Sequence, residues 1–168
     1  VKARKPAQRI GSLFVNPGGP GGSGVFMAAA ADSFLGPKVL DRFDVVGFDP
    51  RGIGASSYLT CFKTATAQQA AMAGFNVAFP WTAAEEKKYI ASAKKVGKAC
   101  STTGKPLSGA MSTAEVARDM EVMRRAVGDP KLNFLGFSYG SVLGQYYANM
   151  FPDRFRSLVV DGVLDPTA

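Results

Sequence analysis

The feature that most restricts the fold is the turn Gly136–Gly140, in which Ser138 lies between two glycines with the spacing G-x-S-x-G. The apolar run Leu132–Phe137 leads into the serine and predicts a buried strand, and Tyr139–Met150 follows it with the pattern of a helix. A strand that passes into a helix through one residue needs a strained turn, and the flanking glycines let the two elements pack closely. Such a turn raises the serine hydroxyl above the edge of the sheet, so Ser138 is the candidate nucleophile.

Short apolar runs and helical patterns alternate along the rest of the chain. Further strands are predicted at Ile10–Asn16, Phe43–Phe48 and Ser157–Val160, and further helices at Val25–Phe34 and Thr82–Ala99. Another helix is predicted to begin at Ser112 or Thr113 and to be ended by Gly128-Asp129-Pro130. Residues 55–80 are irregular or weakly helical, and no repeat or interdomain linker is visible. Strands that alternate with helices predict an α/β fold with a mainly parallel sheet, in one domain over residues 1–168.

A glycine-rich loop follows the first predicted strand and has the composition of an oxyanion-binding loop. It extends from Asn16 to Gly24, and we call this segment the glycine loop. Acyl transfer needs two backbone N–H donors directed at the developing oxyanion, one from the residue after the nucleophile and one from such a loop. The candidate donors are therefore Tyr139 and, in the loop, Gly18 or Gly19, where glycine allows a close approach.

The glycine loop also permits a second interpretation, a dinucleotide-binding domain. Residues Gly19–Gly24 fit the spacing G-x-G-x-x-G between a strand and a helix, and Asp49 ends the next strand, where an acid would bind a ribose. The Pro-Arg-Gly sequence after this acid is not typical of such a site, and a nucleotide site would leave the serine turn without a role. The dinucleotide interpretation is therefore the less favoured alternative, and no cofactor is expected.

Charge and cysteine content restrict the classes of partner. The 20 Lys and Arg residues outnumber the 13 Asp and Glu residues, but they occur as scattered short pairs without interleaved aromatic residues, so no nucleic-acid partner is expected. No apolar stretch reaches the roughly 18 residues that a membrane span requires. Cys61 and Cys100 are too few for a metal site in a chain without histidine, and by themselves they fit either a disulfide or two buried thiols.

Five motifs in a fixed order make the chain resemble a family of hydrolases. They are the glycine loop, Phe48–Ser56, the serine turn with Leu143–Ala148 after it, Phe151–Arg154 and Val160–Pro166. Over nearly the whole chain they resemble the tripeptidyl aminopeptidase branch of the prolyl-iminopeptidase-like serine hydrolases, which belong to the α/β-hydrolase superfamily. The resemblance implies that the four predicted strands lie side by side in the central sheet.

The same resemblance implies a set of roles. Ser138 would be the nucleophile of an acyl-enzyme that releases short peptides or residues from free N-termini, with Tyr139 and Gly18 or Gly19 as the oxyanion hole. Some members of the family are esterases or other acyl hydrolases, so the substrate is a peptide or an ester. Members are exported and carry a cysteine pair at about these positions, which implies a disulfide between Cys61 and Cys100 and a secreted or cell-envelope location.

The chain departs from the family pattern because it contains no histidine. In the family, the acid and the histidine follow a helical cap inserted after the last strand predicted here, so the chain is expected to be the N-terminal catalytic portion, truncated before the cap and the C-terminal strands. Asp161, at the end of that strand, is interpreted as structural rather than as the triad acid. Alone the chain is expected to be inactive, with a C-terminal segment or a complementary chain supplying the acid and the histidine. The alternative from another class is a non-catalytic fragment that acts as an interaction module.

Overall fold

Residues 1–166 are described by the computed structural model, and they divide into two units. Residues 1–57 with 112–166 form the sheet unit, and residues 58–111 form the helical unit. The prediction of one partial hydrolase domain over residues 1–168 extends two residues outside the described range, and it stays a prediction.

The predicted strands and helices occur in the predicted order, and one short helix, at Pro37–Leu40, was not predicted. In chain order they are β1 (Gly11–Asn16), α1 (Gly24–Ala29), α2 (Pro37–Leu40), β2 (Phe43–Gly47), α3 (Ala65–Met72), α4 (Ala83–Thr102), α5 (Thr113–Ala126), β3 (Leu132–Phe137), α6 (Tyr139–Met150) and β4 (Phe155–Asp161). Short 3-10 turns lie at Pro6–Gln8, Ala31–Ser33, Ala73–Phe75 and Leu107–Ala110. Each of the four predicted strands is confirmed to within two residues at either end.

The four strands form one parallel sheet in the order β2-β1-β3-β4. Within it, β1 lies between its two neighbours, with Leu13 opposite Val45 of β2 on one side and Asn16 opposite Gly136 of β3 on the other. Because the strands run in the same direction, their carboxyl ends meet at one edge of the sheet. The glycine loop after β1 and the serine turn after β3 therefore emerge side by side, and the predicted α/β fold is confirmed.

Alternation along the strands builds a core on each face of this sheet. In β1, Val15 packs in a cluster with Ala28, Ala31 and Leu40 on one face, whereas Phe14 packs in a second cluster on the other. That second cluster contains α5 and α6 residues: Val116, Ala117, Met120, Leu143 and Tyr147. Successive side chains of a strand point to opposite faces, and with both faces covered the middle of β1, Leu13–Val15, is apolar at three consecutive positions.

Three features stabilise the helical unit: a capping box at the start of α4, a hydrogen bond to the buried hydroxyl of Ser92, and a disulfide. Thr82 and Glu85 form the predicted capping box at the start of α4. Ser92, buried on α4, accepts a 2.9 Å hydrogen bond from the backbone N–H of Gly74. Cys61 and Cys100 form a disulfide with their Cα atoms 4.5 Å apart, which confirms the pairing implied by the resemblance. None of the described helices is long and apolar enough to cross a membrane.

Two helix ends differ from the prediction. Helix α4 ends at Thr102, three residues after the predicted Ala99. The helix predicted over Val25–Phe34 is wrong in extent, because Ala30 leaves the helical conformation (φ −91°, ψ 13°) and a 3-10 turn follows. The prediction that Gly128-Asp129-Pro130 ends the helix that begins at Ser112 or Thr113 is confirmed, because α5 ends at Ala126 and Gly128 has φ 77°, in the left-handed region that favours glycine. In the weakly helical stretch 55–80, α3 begins after Thr64, whose hydroxyl accepts from the N–H of Ala67.

Candidate active site

The backbone at Ser138 is strained, as a one-residue passage from strand to helix requires. Ser138 has φ 52° and ψ −120°, and within residues 1–166 no other non-glycine residue has a positive φ. Such a conformation costs on the order of 1–3 kcal/mol and persists only where the surrounding structure holds it. Ser138 is exposed at the carboxyl edge of the sheet, directly after β3 and before α6. The nucleophile candidate is therefore both held in place and accessible.

Gly136 and Gly140 allow β3 and α6 to approach each other around this turn. A Cβ on Gly136 would lie 2.4 Å from the carbonyl oxygen of Gly140, and a Cβ on Gly140 would lie 2.8 Å from the carbonyl oxygen of Asn16. Both distances are shorter than real Cβ contacts, and in both cases the obstacle is backbone that cannot swing away. The packing therefore requires glycine at both positions.

Hydrogen bonds join the serine turn and the start of α6 to the end of β4 and to Leu164, which follows β4. The N–H of Ser138 donates to the carbonyl oxygen of Asp161 at 2.8 Å. Ser141, fully buried in the first turn of α6, donates from Oγ to the carbonyl oxygen of Ser138 at 2.6 Å and accepts from the N–H of Leu164 at 3.0 Å. Gln145 also donates to the carbonyl oxygen of Leu164, at 3.0 Å. Both backbone polar groups of the strained serine are thus satisfied.

The glycine loop lies directly against the serine turn. Gly18 has φ 87°, and a Cβ there would lie 2.3 Å from the carbonyl oxygen of Phe137 and 2.9 Å from the backbone nitrogen of Tyr139. Its N–H donates to Oδ1 of Asn16 at 2.9 Å. In the described part of the chain, the N–H groups of Gly19 and Tyr139 donate to no protein acceptor. Gly18 therefore provides the close approach, and Gly19 and Tyr139 keep free donors.

Helix α5 makes hydrogen bonds to two segments at the same edge of the sheet, the serine turn and the loop after β2. The hydroxyl groups of Thr113, at the start of α5, and Tyr139 share a hydrogen bond of 2.7 Å. One turn and a half further along α5, Asp119 accepts from Nε and Nη2 of Arg51 at 2.8 and 2.6 Å. The helix therefore contacts the serine turn through one residue and the loop after β2 through another.

The dinucleotide interpretation is not supported by the position of Asp49. Its Oδ1 accepts from the hydroxyl of Ser23 at 2.7 Å, and its Oδ2 accepts from the N–H of Ala55 at 2.8 Å. Both carboxylate oxygens therefore have protein donors, so Asp49 has a role within the fold that needs no ribose.

Sequence reasoning missed three residues that shape the site: Asn16, Ser141 and Thr113. Asn16 left one signal, because a polar residue that ends an apolar strand before a glycine loop is a ready local acceptor. Thr113 left none, since its partner lies 26 positions away along the chain. No histidine occurs in the sequence, so these 168 residues provide no imidazole base for Ser138.

Comparison with known proteins agrees with the fold. A family model described as the alpha/beta hydrolase fold matches residues 11–168. The chain is 38% identical to serine protease Hip1 of Mycobacterium tuberculosis over 162 residues, and 37% identical to tripeptidyl aminopeptidase of Streptomyces lividans over 163 residues. It is also 40% identical over 172 residues to a Mycobacterium tuberculosis protein named carboxylesterase B.

These alignments cover nearly all of the chain and a minority of each relative. They include 95%, 96% and 99% of the chain, but only 31%, 30% and 32% of the respective relatives. The chain thus spans about a third of the length of the curated relatives it matches, which are named as peptidases and as an esterase. On the evidence of the family match and of the parallel sheet with its strained serine turn, the chain belongs to the α/β-hydrolase fold family.

Proposed function

We propose that the chain carries the nucleophile and the oxyanion donors of a serine hydrolase that acts through an acyl-enzyme on Ser138. The observation that carries this proposal is the strained, solvent-accessible Ser138 at a strand-to-helix junction with the glycine loop packed against it. A turn held at this energetic cost is typical of a functional residue rather than of an ordinary loop.

The oxyanion donors can be assigned because some backbone N–H groups near Ser138 already donate to other residues of the protein. Tyr139 follows the nucleophile at the start of α6, and Gly19 lies exposed in the glycine loop. With the N–H of Gly18 committed to Asn16, we assign the pair Tyr139 and Gly19 to the developing oxyanion. Two such donors stabilise the negative charge that forms when Ser138 attacks a carbonyl carbon.

The proton of Ser138 requires a base that these 168 residues do not contain. Serine at its ordinary pKa is a weak nucleophile, and in this fold the acid and the histidine come later in the chain than the nucleophile. We therefore place both in the remaining part of a longer protein or in a complementary chain. Alone, the 168-residue chain is expected to be inactive.

For the substrate, we propose a peptide with a free N-terminus, from which short peptides or single residues are released. The similarity to the proteins named tripeptidyl aminopeptidase and serine protease supports a peptide, and the similarity to the protein named carboxylesterase B supports an ester as the second candidate. The Cys61–Cys100 disulfide fits an oxidising compartment, so we propose that the protein is exported or attached to the cell envelope.

The test is fluorophosphonate labelling of Ser138, mapped by mass spectrometry, in the 168-residue chain and in the complete natural protein. We expect labelling at Ser138 in the complete protein, none with Ser138→Ala, and unchanged labelling with the exposed control Ser33→Ala. Labelling absent from the complete protein would overturn the proposal and favour a non-catalytic module.

A labelled protein is then compared on three substrates: a tripeptide p-nitroanilide, its N-acetylated form and a p-nitrophenyl ester. Loss of activity on acetylation supports the aminopeptidase. Preference for the ester, with no cleavage of either anilide, would replace the peptidase by an esterase.

A further inference from the structure

The carboxylate of Asp49 joins two loops at the carboxyl edge of the sheet. Its Oδ1 accepts from Oγ of Ser23 at 2.7 Å and from the N–H of Val25 at 3.3 Å, and its Oδ2 accepts from the N–H of Ala55 at 2.8 Å. Ser23 lies near the end of the glycine loop, and Ala55 lies in the loop after β2. One side chain therefore ties the end of the glycine loop to a neighbouring loop.

The glycine loop has few other anchors. At its start, the N–H of Gly18 is held by Asn16, and within it the N–H of Gly22 donates to the carbonyl oxygen of Gly18 at 3.0 Å. The residues between, Gly19 to Gly21, are exposed. Glycine-rich backbone has many accessible conformations, so the position of a donor within it depends on how its two ends are held. Asn16 holds the first end. The second end is held by Asp49 and by the first turn of α1, where the N–H of Met27 donates to the carbonyl oxygen of Ser23 at 3.2 Å.

The surroundings of Asp49 leave little room for a rearranged side chain. A Cβ on Gly54 would lie 2.1 Å from Oδ2 of Asp49, and a Cβ on Gly24 would lie 2.2 Å from the carbonyl oxygen of Phe48. Burial raises the pKa of Asp49, but hydrogen bonds from Ser23, Ala55 and Val25 outweigh it and lower the pKa, so the group is ionised at neutral pH. Hydrogen bonds to an ionised acceptor are stronger than those between neutral groups.

We propose that Asp49 is a positioning residue that holds the glycine loop, and with it the N–H of Gly19, in register with Ser138. The inference rests on the proposed function for its catalytic consequence, and on the hydrogen bonds alone for its structural part. Asp49 does not touch the reacting atoms. It acts through Ser23 and Val25, and its loss removes the side-chain bonds that tie the downstream end of the loop to the loop after β2, so that this end is held by the first turn of α1 alone.

The experiment uses the complete natural protein and the variant Asp49→Asn, which keeps the size of the side chain but turns one acceptor oxygen into an NH2 donor that faces an existing donor. Asp119→Asn is the matched control, because it breaks an ion pair to Arg51 in the same loop after β2 without touching the glycine loop. Ser23→Thr keeps a hydroxyl for Asp49 and serves as the conservative variant.

Hydrogen exchange measures the structural part directly. In Asp49→Asn we expect the hydrogen-bonded amides of residues 18–25, those of Gly18, Gly22 and Val25, to exchange at least about 10-fold faster, with exchange in α5 and α6 unchanged. Asp119→Asn and Ser23→Thr should leave residues 18–25 as in the wild type. Unchanged exchange at residues 18–25 in Asp49→Asn would overturn the proposal whether or not the protein is an active hydrolase.

Steady-state kinetics on the preferred substrate measure the catalytic part. Because a displaced oxyanion donor affects the transition state more than the bound substrate, we expect kcat to fall about 10- to 100-fold with KM within about 3-fold. A loosened loop with wild-type kcat would overturn the role in catalysis. Failure of the wild type to react at Ser138 is a separate result: it removes the proposed function, while hydrogen exchange still decides whether Asp49 holds the loop.

Discussion

The hydroxyl of Tyr147 donates a 2.7 Å hydrogen bond to Oε2 of Glu121, which joins α6 to α5 inside the core. Both residues are buried, and Arg124, also buried, donates from Nε and Nη2 to the same carboxylate at 2.8 and 2.7 Å. Burial, reinforced by the neighbouring carboxylate, raises the pKa of Tyr147, so its hydroxyl stays a donor. The helix that carries the serine turn is therefore anchored through a buried charge network.

This network predicts acid sensitivity. Hydrogen bonds from Arg124, opposed by burial and supported by Tyr147 and Arg125, lower the pKa of Glu121 from 4.5 to about 2. A lowered pKa stabilises the fold above the unfolded value and the gain is lost as pH falls through the folded value. We expect roughly 3 kcal/mol of unfolding free energy to be present at pH 7 and lost between about pH 5 and pH 2, by the conversion of pKa shift to free energy.

The measurement is urea unfolding from pH 7 to pH 3 for the wild type and Glu121→Gln. Glu121→Gln should cost about 3–5 kcal/mol at pH 7, because it leaves Arg124 buried without its charge partner, and should flatten the pH dependence. The exposed control Glu86→Gln should follow the wild type. Equal pH dependence in the wild type and in Glu121→Gln would contradict this prediction.

Ser141→Ala tests the support of the strained turn. The substitution removes the hydrogen bond to the carbonyl oxygen of Ser138 and leaves the N–H of Leu164 without its acceptor. We expect a loss of about 1–3 kcal/mol in unfolding free energy, as for a buried group left unsatisfied. Ser33→Ala, which removes an exposed hydroxyl bonded to the carbonyl oxygen of Ala30, should cost less than about 0.5 kcal/mol. Equal losses of unfolding free energy in the two variants, measured by urea unfolding, would show that the hydrogen bonds of Ser141 do not stabilise the serine turn.

Two helical glycines should respond to alanine with opposite signs. In α6, a Cβ on Gly140 would lie 2.8 Å from the carbonyl oxygen of Asn16, so Gly140→Ala should destabilise by about 1–3 kcal/mol. In α4, a Cβ on Gly97 would have no neighbour within 4 Å. Gly97→Ala should therefore stabilise, by up to about 1 kcal/mol, through helix propensity alone. Thermal melts of both variants decide the matter, and a stabilised Gly140→Ala would refute the packing argument.

Reduction of the disulfide should weaken the helical unit first. Cys61 and Cys100 close a loop with a sequence separation of 39, for which the chain-entropy model predicts roughly 4 kcal/mol. After treatment with dithiothreitol, limited proteolysis mapped by mass spectrometry should show new cleavage within residues 58–111 before any in the sheet unit. The double variant Cys61→Ser, Cys100→Ser should give the same pattern without reductant. First cleavage within residues 112–166 would contradict the expected order.

Much of the sheet could be predicted because its signals are local. The apolar run Leu132–Phe137 by itself predicts a buried strand. The G-x-S-x-G spacing at its end, with a helical pattern directly after it, predicts the tight turn at Ser138. Helix extents were less predictable. The helix that begins at Gly24 stops at Ala29 rather than at Phe34, although the alanine residues of this stretch favour a continued helix.

Local sequence patterns were sufficient to predict the four strands, three of the helices and the candidate nucleophile Ser138. Two contacts of the site became visible only in the folded chain: the hydrogen bond between Thr113 and Tyr139, and the bond from Ser23 to Asp49 that joins the glycine loop to the loop after β2. The difference lies in how far apart the interacting residues are along the chain. Periodicity and turn chemistry act over a few residues, whereas the bond from Ser23 to Asp49 joins residues 26 positions apart, and packing alone selects such partners.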